Sequence, residues 1–184
     1  MAQGEHLTVI LSDSIISLRS NRFHELLDTR REQCIVSRHP GATSDQLEHL
    51  VEYWAKAVNP ERIIICCGIN NMIHYPQDAQ DTLYEVNTAA DIIKVAKKAK
   101  DAGIRDVCML GLLDVNYRDE NNCHIDTTEV NKLLKDRCSK LNFRFIDNSN
   151  IKRRMLWDGL HPSKDVGQEI LRKNILKCFS TFRF

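Results

Sequence analysis

Two short apolar runs, Ile63 to Cys67 (IIICC) and Val107 to Leu113 (VCMLGLL), have no polar residue at alternate positions. A strand with one wet face alternates, whereas a strand that is apolar throughout is covered on both faces. That is the situation of a parallel sheet lying between helices. Leu7 to Leu11, Cys34 to Val36 and Phe143 to Ile146 add three more runs of strand length.

Stretches of helical period with recognisable ends separate these runs. Thr43-Ser44-Asp45 precedes Leu47, Leu50, Val51 and Trp54, spaced i, i+3, i+4, i+7, and the stripe stops before Pro60. The stretch 78–101 carries Leu83, Val86, Ala90 and Ile93, and Gly103 stands where a helix C′ residue belongs. Asp126-x-x-Glu129 has the pattern of a capping box ahead of Val130, Leu133, Leu134 and Leu141. Ser163 can cap a last helix bearing Val166, Ile170, Ile175 and Phe179, and helical residues are also expected directly after Ser12-Asp13-Ser14. The order βαβαβαβαβα with short, right-handed connections predicts an α/β fold, a three-layer α/β/α sandwich on a five-stranded parallel sheet. With no repeat, low-complexity stretch or Pro/Gly-rich linker, residues 1–184 read as a single domain.

Composition excludes several classes. The chain is 42% hydrophobic with a net charge of +1, which disfavours disorder. No apolar run approaches the ~20 residues that span a bilayer, and no secretory signal pattern opens the chain. Seven scattered cysteines, with Cys66 and Cys67 adjacent in an apolar run, read as buried thiols of a reducing, cytoplasmic compartment. No CxxC or Cys/His pair has zinc spacing, and no Walker or GxGxxG motif is present, so neither metal nor organic cofactor is expected. Charge is unevenly divided. Residues 1–130 hold 13 basic and 20 acidic residues, and residues 131–184 hold 13 basic and 5 acidic ones. This excess reads either as a solvated basic helix face or as a surface for an anionic partner.

Ligands of open parallel sheets bind beyond the carboxyl ends of the strands. Four segments stand there. Ser12-Asp13-Ser14 follows the first strand, where a serine on a sharp strand-to-helix turn has an exposed hydroxyl; Ser and Asp are also ordinary cap residues. His39-Pro40-Gly41-Ala42 follows the second, and Gly41 either brings its N–H close to a ligand or is a plain loop glycine. Gly68-Ile69-Asn70-Asn71 follows the third, where Asn70 either donates its amide to the site or satisfies its own turn. After the fifth, Pro162 keeps His161 out of the helical region, and Asp158 stands three residues before that imidazole, able to accept its Nδ1–H. Together these supply a nucleophile, a base with its orienting acid, and three candidate oxyanion donors: the Ser14 N–H, the Gly41 N–H and the Asn70 amide. His39 is a candidate for lining the pocket, while His24, His49, His74 and His124 are assigned structural or surface roles. Trp157 is expected to pack under the Asp158 loop, and Trp54 on the core face of its helix.

Ser12-Asp13-Ser14, Gly41, Gly68-x-Asn70 and Asp158-x-x-His161 resemble, in order, the four blocks of the SGNH (GDSL-type) hydrolases. The resemblance implies a flavodoxin-like sheet, Ser14 as nucleophile, Asp158 and His161 as the other triad members, and an oxyanion hole from Ser14, Gly41 and Asn70. Ser12 stands where the family usually has glycine, and Asn71 where it usually has aspartate, which brings the local support of Asn70 into question. Leu156 to Ser163 and Pro40-Gly41-Ala42 are most similar to the esterase domains in the first open-reading-frame proteins of LINE-type retrotransposons. The chain would then be a piece of a longer protein that self-associates through its other parts. The catalytic subunits of platelet-activating-factor acetylhydrolase are similar in size and layout.

The expected reaction is hydrolysis of short-chain, acetyl-type esters, lipid esters among them, through an acyl-serine and without metal or cofactor. The alternative is a weak or retired SGNH-fold module within a retrotransposon ribonucleoprotein. Its basic residues, Lys132, Lys135, Lys152, Arg153 and Arg154, would meet an anionic phospholipid membrane surface or RNA. No RNA-recognition aromatic motif, zinc knuckle or helix-turn-helix signature accompanies them.

Overall fold

The computed structural model describes residues 6–16, 32–75 and 83–179. Strands β1 (His6–Ser12), β2 (Glu32–Arg38), β3 (Arg62–Cys66), β4 (Asp106–Leu110) and β5 (Arg144–Ile146) form one parallel sheet in the order β2-β1-β3-β4-β5. This is the flavodoxin-like order, whose switch point lies between β1 and β3. The described helices are α1 (Ser44–Val58), α2 (Ile69–His74), α3 (Tyr84–Asp101), α4 (Thr128–Lys140) and α5 (Val166–Phe179), with a 3-10 turn at Arg153–Met155. Helices cover both sides of the sheet, and α3 packs between α1 and α4.

The continuous apolar runs have the cause the sequence suggests. Val9, Ile10, Leu11, Ile63, Ile64 and Ile65 are fully buried at the sheet centre, and each such side chain contributes about 1.5–3 kcal/mol. α1 begins with a capping box in which Gln46 Oε1 accepts the Thr43 N–H at 3.0 Å. Gly103 takes φ +89° just past α3 and donates its N–H to the Lys100 carbonyl. Ser163 Oγ accepts the Gly167 N–H at 2.9 Å, at the head of α5.

Several expectations shift. β4 ends at Leu110 although its apolar run continues to Leu113. Leu112 and Leu113 are buried, but the Asn131 side chain bonds both the N–H and the carbonyl of Leu112 and so replaces a strand partner. The buried face of α3 runs through Ala89, Ile92, Ile93, Ala96 and Ala99, and Leu83 and Val86 are exposed. Val166, expected on the core stripe of α5, is exposed as well. Asp126 forms no capping box; Thr127 is the N-cap of α4, and Asp126 Oδ1 accepts the Thr128 N–H at 2.9 Å. Residues 13–16 form a bend, and the rest of the helix expected after Ser14 lies outside the described residues. α2 starts within Gly68-Ile69-Asn70-Asn71.

At the start of β3 and β4, at the opposite end of the sheet from the carboxyl ends of its strands, Asp106 accepts the Arg62 Nε–H at 2.5 Å and also pairs with Arg144. Arg62 is only 2% exposed, and Phe179 covers its guanidinium at 5.0 Å.

Candidate active site

Ser12 is in register with Arg38 on one side and Cys66 on the other, so β2, β1 and β3 end level beside the switch point. Beyond Ser12 the chain bends sharply because Asp13 Oδ1 accepts the Ile15 N–H at 3.0 Å. Within residues 11–16 only Ser14 reaches solvent.

The partner loop folds locally. The Trp157 N–H donates to the His161 carbonyl at 2.9 Å and the Ser163 N–H to the Met155 carbonyl at 2.7 Å. Inside this turn Asp158 Oδ1 accepts the N–H groups of Leu160 and His161 at 2.9 and 2.7 Å. Gly159 makes the turn feasible: it takes φ +82°, and a Cβ there would lie 2.4 Å from the Asn116 carbonyl oxygen. Asp158 Oδ2 pairs with His161 Nδ1 at 2.7 Å, and His161 Nε2 lies 2.9 Å from Ser14 Oγ. Acid, imidazole and hydroxyl thus form one hydrogen-bonded chain across 147 positions of sequence. Partial burial works against the Asp158 charge, but the N–H groups of His161 and Leu160 and the imidazole outweigh it and hold its pKa below the ordinary carboxylate value. An ionised Asp158 holds the proton on Nδ1 and leaves Nε2 as an acceptor toward Ser14.

Gly41 is exposed with φ +80°, a backbone state open to glycine at little cost. Asn70 is buried in the first turn of α2 and uses one amide hydrogen on the Ala42 carbonyl at 3.0 Å, which ties it to the Gly41 loop. Asn71 answers the question raised by its departure from the usual aspartate. Its Nδ2 donates to Ser44 Oγ at 2.7 Å and its Oδ1 accepts the Ser44 N–H at 2.9 Å. The amide therefore clamps α2 to the start of α1 and supports Asn70.

Asp13 is fully buried, and that burial raises its pKa to about 7 despite the Ile15 N–H and the nearby Arg38 charge. Its Oδ2, like Ser12 Oγ, has no hydrogen-bond partner among the described residues.

Ser14 and His161 open into a cleft of about 260 Å³, also lined by Arg38, Trp157, Pro162, Lys164 and Gln168. The sequence alone does not mark four of these, Arg38, Trp157, Lys164 and Gln168, as site residues. The signal available for Arg38 is a basic residue ending β2 at the ligand-binding edge. Trp157 does not pack under its loop: it is 70% exposed and stacks beside His161 with ring centres 6.2 Å apart. His39 does not line the cleft, because its Nε2 bonds Ser37 Oγ at 2.7 Å, which also accepts the Trp54 Nε1–H. Trp54 packs against the core as expected. His74 pairs with Glu120, His124 with Asn116, His49 is exposed, and His24 lies outside the described residues. A larger groove of about 350 Å³ between α1 and α3 is lined by Glu52, Lys56, Lys98 and Asp101 and offers no nucleophile paired with a base. Among the described residues no three His, Cys, Asp or Glu side chains come together as a metal site.

No family model and no curated protein matches the sequence. Solved structures do match it in shape. A GDSL-like lipase from Bacteroides thetaiotaomicron is 18% identical with a TM-score of 0.74, over 98% of this chain and 92% of that one. The psychrotrophic esterase EstA from Pseudoalteromonas sp. is 12% identical with a TM-score of 0.71, over 97% and 98%. Axe2, an acetylxylan esterase from Geobacillus stearothermophilus, is 15% identical with a TM-score of 0.71, over 96% and 95%. The fold is thus shared with GDSL-type lipases and esterases along nearly the whole length of these chains.

Proposed function

We propose that this chain is an SGNH-type serine hydrolase that cleaves short-chain, acetyl-type carboxylic esters through an acyl-serine. The observation that carries the reading is the unbroken chain from Ser14 Oγ through His161 to Asp158. Ser14 Oγ attacks the ester carbonyl as His161 Nε2 takes its proton, and Asp158 stabilises the resulting imidazolium. The Ser14 and Gly41 N–H groups and the remaining Asn70 amide hydrogen receive the oxyanion. His161 then protonates the departing alcohol, leaving the acyl group on Ser14. It next takes a proton from water as the water attacks the acyl carbonyl, and it returns that proton to Ser14 Oγ as the Oγ–acyl bond breaks and the acid departs.

The cleft of about 260 Å³ favours a small acyl group, and one neighbour in fold is named for hydrolysing acetyl esters of xylan. A fluorophosphonate should label the native protein and fail to label Ser14→Ala; labelling of the variant overturns the assignment. A p-nitrophenyl ester series should favour acetate, and preference for long chains overturns the acyl-size reading. Placement with the retrotransposon esterase domains is supported by Leu156 to Ser163 and Pro40-Gly41-Ala42. A reducing, cytoplasmic setting is supported by seven free thiols, and among the described residues no helix is long and apolar enough to cross a membrane.

A second reading, docking on anionic lipid, is favoured by one observation. Lys132, Lys135 and Lys152 line a separate cleft of about 310 Å³ beside Phe145 and Asn148, where they outnumber its two carboxylates, Asp114 and Asp147. Co-sedimentation should require anionic vesicles and weaken as salt is raised; binding that ignores both removes this reading.

A further inference from the structure

Two cations face the proposed reaction cleft, and among the described residues no anion is hydrogen-bonded to either. Arg38 ends β2 in register with Ser12, Lys164 follows His161 by three residues, and both line the cleft that holds Ser14 Oγ and His161. Arg38 Nε is buried and has no hydrogen-bond partner among the described residues. Asp13 feels the Arg38 charge through space, yet its own buried Oδ2 is also unpartnered, so the two do not satisfy each other. A guanidinium N–H buried without an acceptor is costly, and an arginine that lines a cleft without a carboxylate partner keeps its fork available for an anion that enters the cleft. Arg presents a rigid planar fork suited to carboxylate, sulfonate or phosphate oxygens, and Lys adds a mobile point charge. Trp157, largely exposed beside His161, supplies a flat apolar wall.

We infer that the ester taken by this site carries a negatively charged group, held by Arg38 and Lys164 while Trp157 covers its apolar part. The inference rests on the serine-hydrolase reading and narrows its substrate class. An anionic group at this wall meets the Arg38 guanidinium and the Lys164 ammonium as a charge-matched acceptor, a stronger partner than the carbonyl oxygen of a neutral ester, and holds the ester beside Ser14. The pair also adds long-range attraction that concentrates anions at the cleft.

The test compares para-acetoxybenzoate and para-acetoxybenzenesulfonate with the uncharged methyl ester of the former. The native protein should prefer both anions by about tenfold or more in kcat/KM, chiefly through KM, as expected for hydrogen bonds to charged groups. Arg38→Gln and Lys164→Gln should each pull the anion-to-neutral ratio toward one. A ratio near one in the native protein, or an unchanged ratio in both variants, overturns the inference. Calorimetric binding of the same esters to Ser14→Ala separates the two claims. Anion-selective, Arg38-dependent binding without turnover by the native protein supports the anion site and overturns the hydrolase reading. Equal turnover of charged and uncharged esters overturns the anion site and leaves the hydrolase reading in place.

Discussion

Replacing Asp158 by asparagine changes one oxygen to an amide nitrogen at constant shape, and the loop dictates which atom goes where. Oδ1 accepts two backbone N–H groups while Oδ2 meets only His161 Nδ1. An asparagine turned with its NH₂ toward the two N–H donors loses both of those bonds, so it keeps its oxygen there and aims NH₂ at the imidazole. Nδ1 must then be the acceptor, the ring proton moves to Nε2, and His161 donates toward Ser14 when it should accept. The lost charge-assisted bond costs about 1.5–3 kcal/mol. Returning the ring to the productive tautomer sacrifices a further hydrogen bond of similar size, so the barrier rises by about 3–6 kcal/mol. At 1.36 kcal/mol per decade this is a fall of roughly 10²–10⁴ in kcat/KM. The side chain is 27% exposed and the two turn bonds persist, so Tm should move little. Steady-state p-nitrophenyl acetate hydrolysis alongside a circular dichroism melt makes the comparison. Activity within tenfold of native at an unchanged Tm would show that Asp158 does not set the tautomer.

Three further outcomes are expected. Asn70→Ala should lower kcat about 10²–10³-fold with little change in KM, as for loss of one oxyanion donor; an unchanged kcat would remove Asn70 from that role. Asp106→Ala strands the guanidinium of Arg62, which is almost fully buried, together with that of Arg144, and urea unfolding should show a loss of about 3–5 kcal/mol. Asp13 has a folded pKa of about 7 against an ordinary 3.8, so between those values the native state holds a proton that the unfolded state releases. Stability should therefore fall as pH rises through that window, by an amount on the order of 4 kcal/mol at 1.36 kcal/mol per unit. Asp13→Asn should flatten the dependence, and a native profile that rises with pH would contradict it.

What the sequence discloses about the site divides by the range of the interaction that places each residue. Asp158 and His161 are legible because one turn, closed by Asp158 on its own backbone, makes acid and base neighbours within four residues. Ser14 is legible because a buried strand must end somewhere, and the first polar residues after Leu11 mark that end. Arg38, Lys164 and Trp157 share a cleft only through the pairing of β2 with β1 and the seating of the 156–163 loop beside Ser14. The end of β2 marks Arg38 as a residue of the ligand-binding edge, but no local pattern says that the loop bearing Trp157, or Lys164 just past it, is seated against it. The fold divides in the same way. The central strands β1, β3 and β4 show as apolar runs because burial on two faces demands it nearly residue by residue, while the half-buried edge strands β2 and β5 show only as the shorter runs Cys34 to Val36 and Phe143 to Ile146. The packing face of α3, in contrast, is drawn partly by Ala89, Ala96 and Ala99, small residues that let neighbouring helices approach. Reading by hydrophobic bulk weights Leu83 and Val86 instead, and both remain exposed. The same logic explains the end of β4. Burial demands apolar residues through Leu113, but backbone pairing passes at Leu112 to the side chain of Asn131, 19 positions away, so hydrophobicity there reports the core and not the strand.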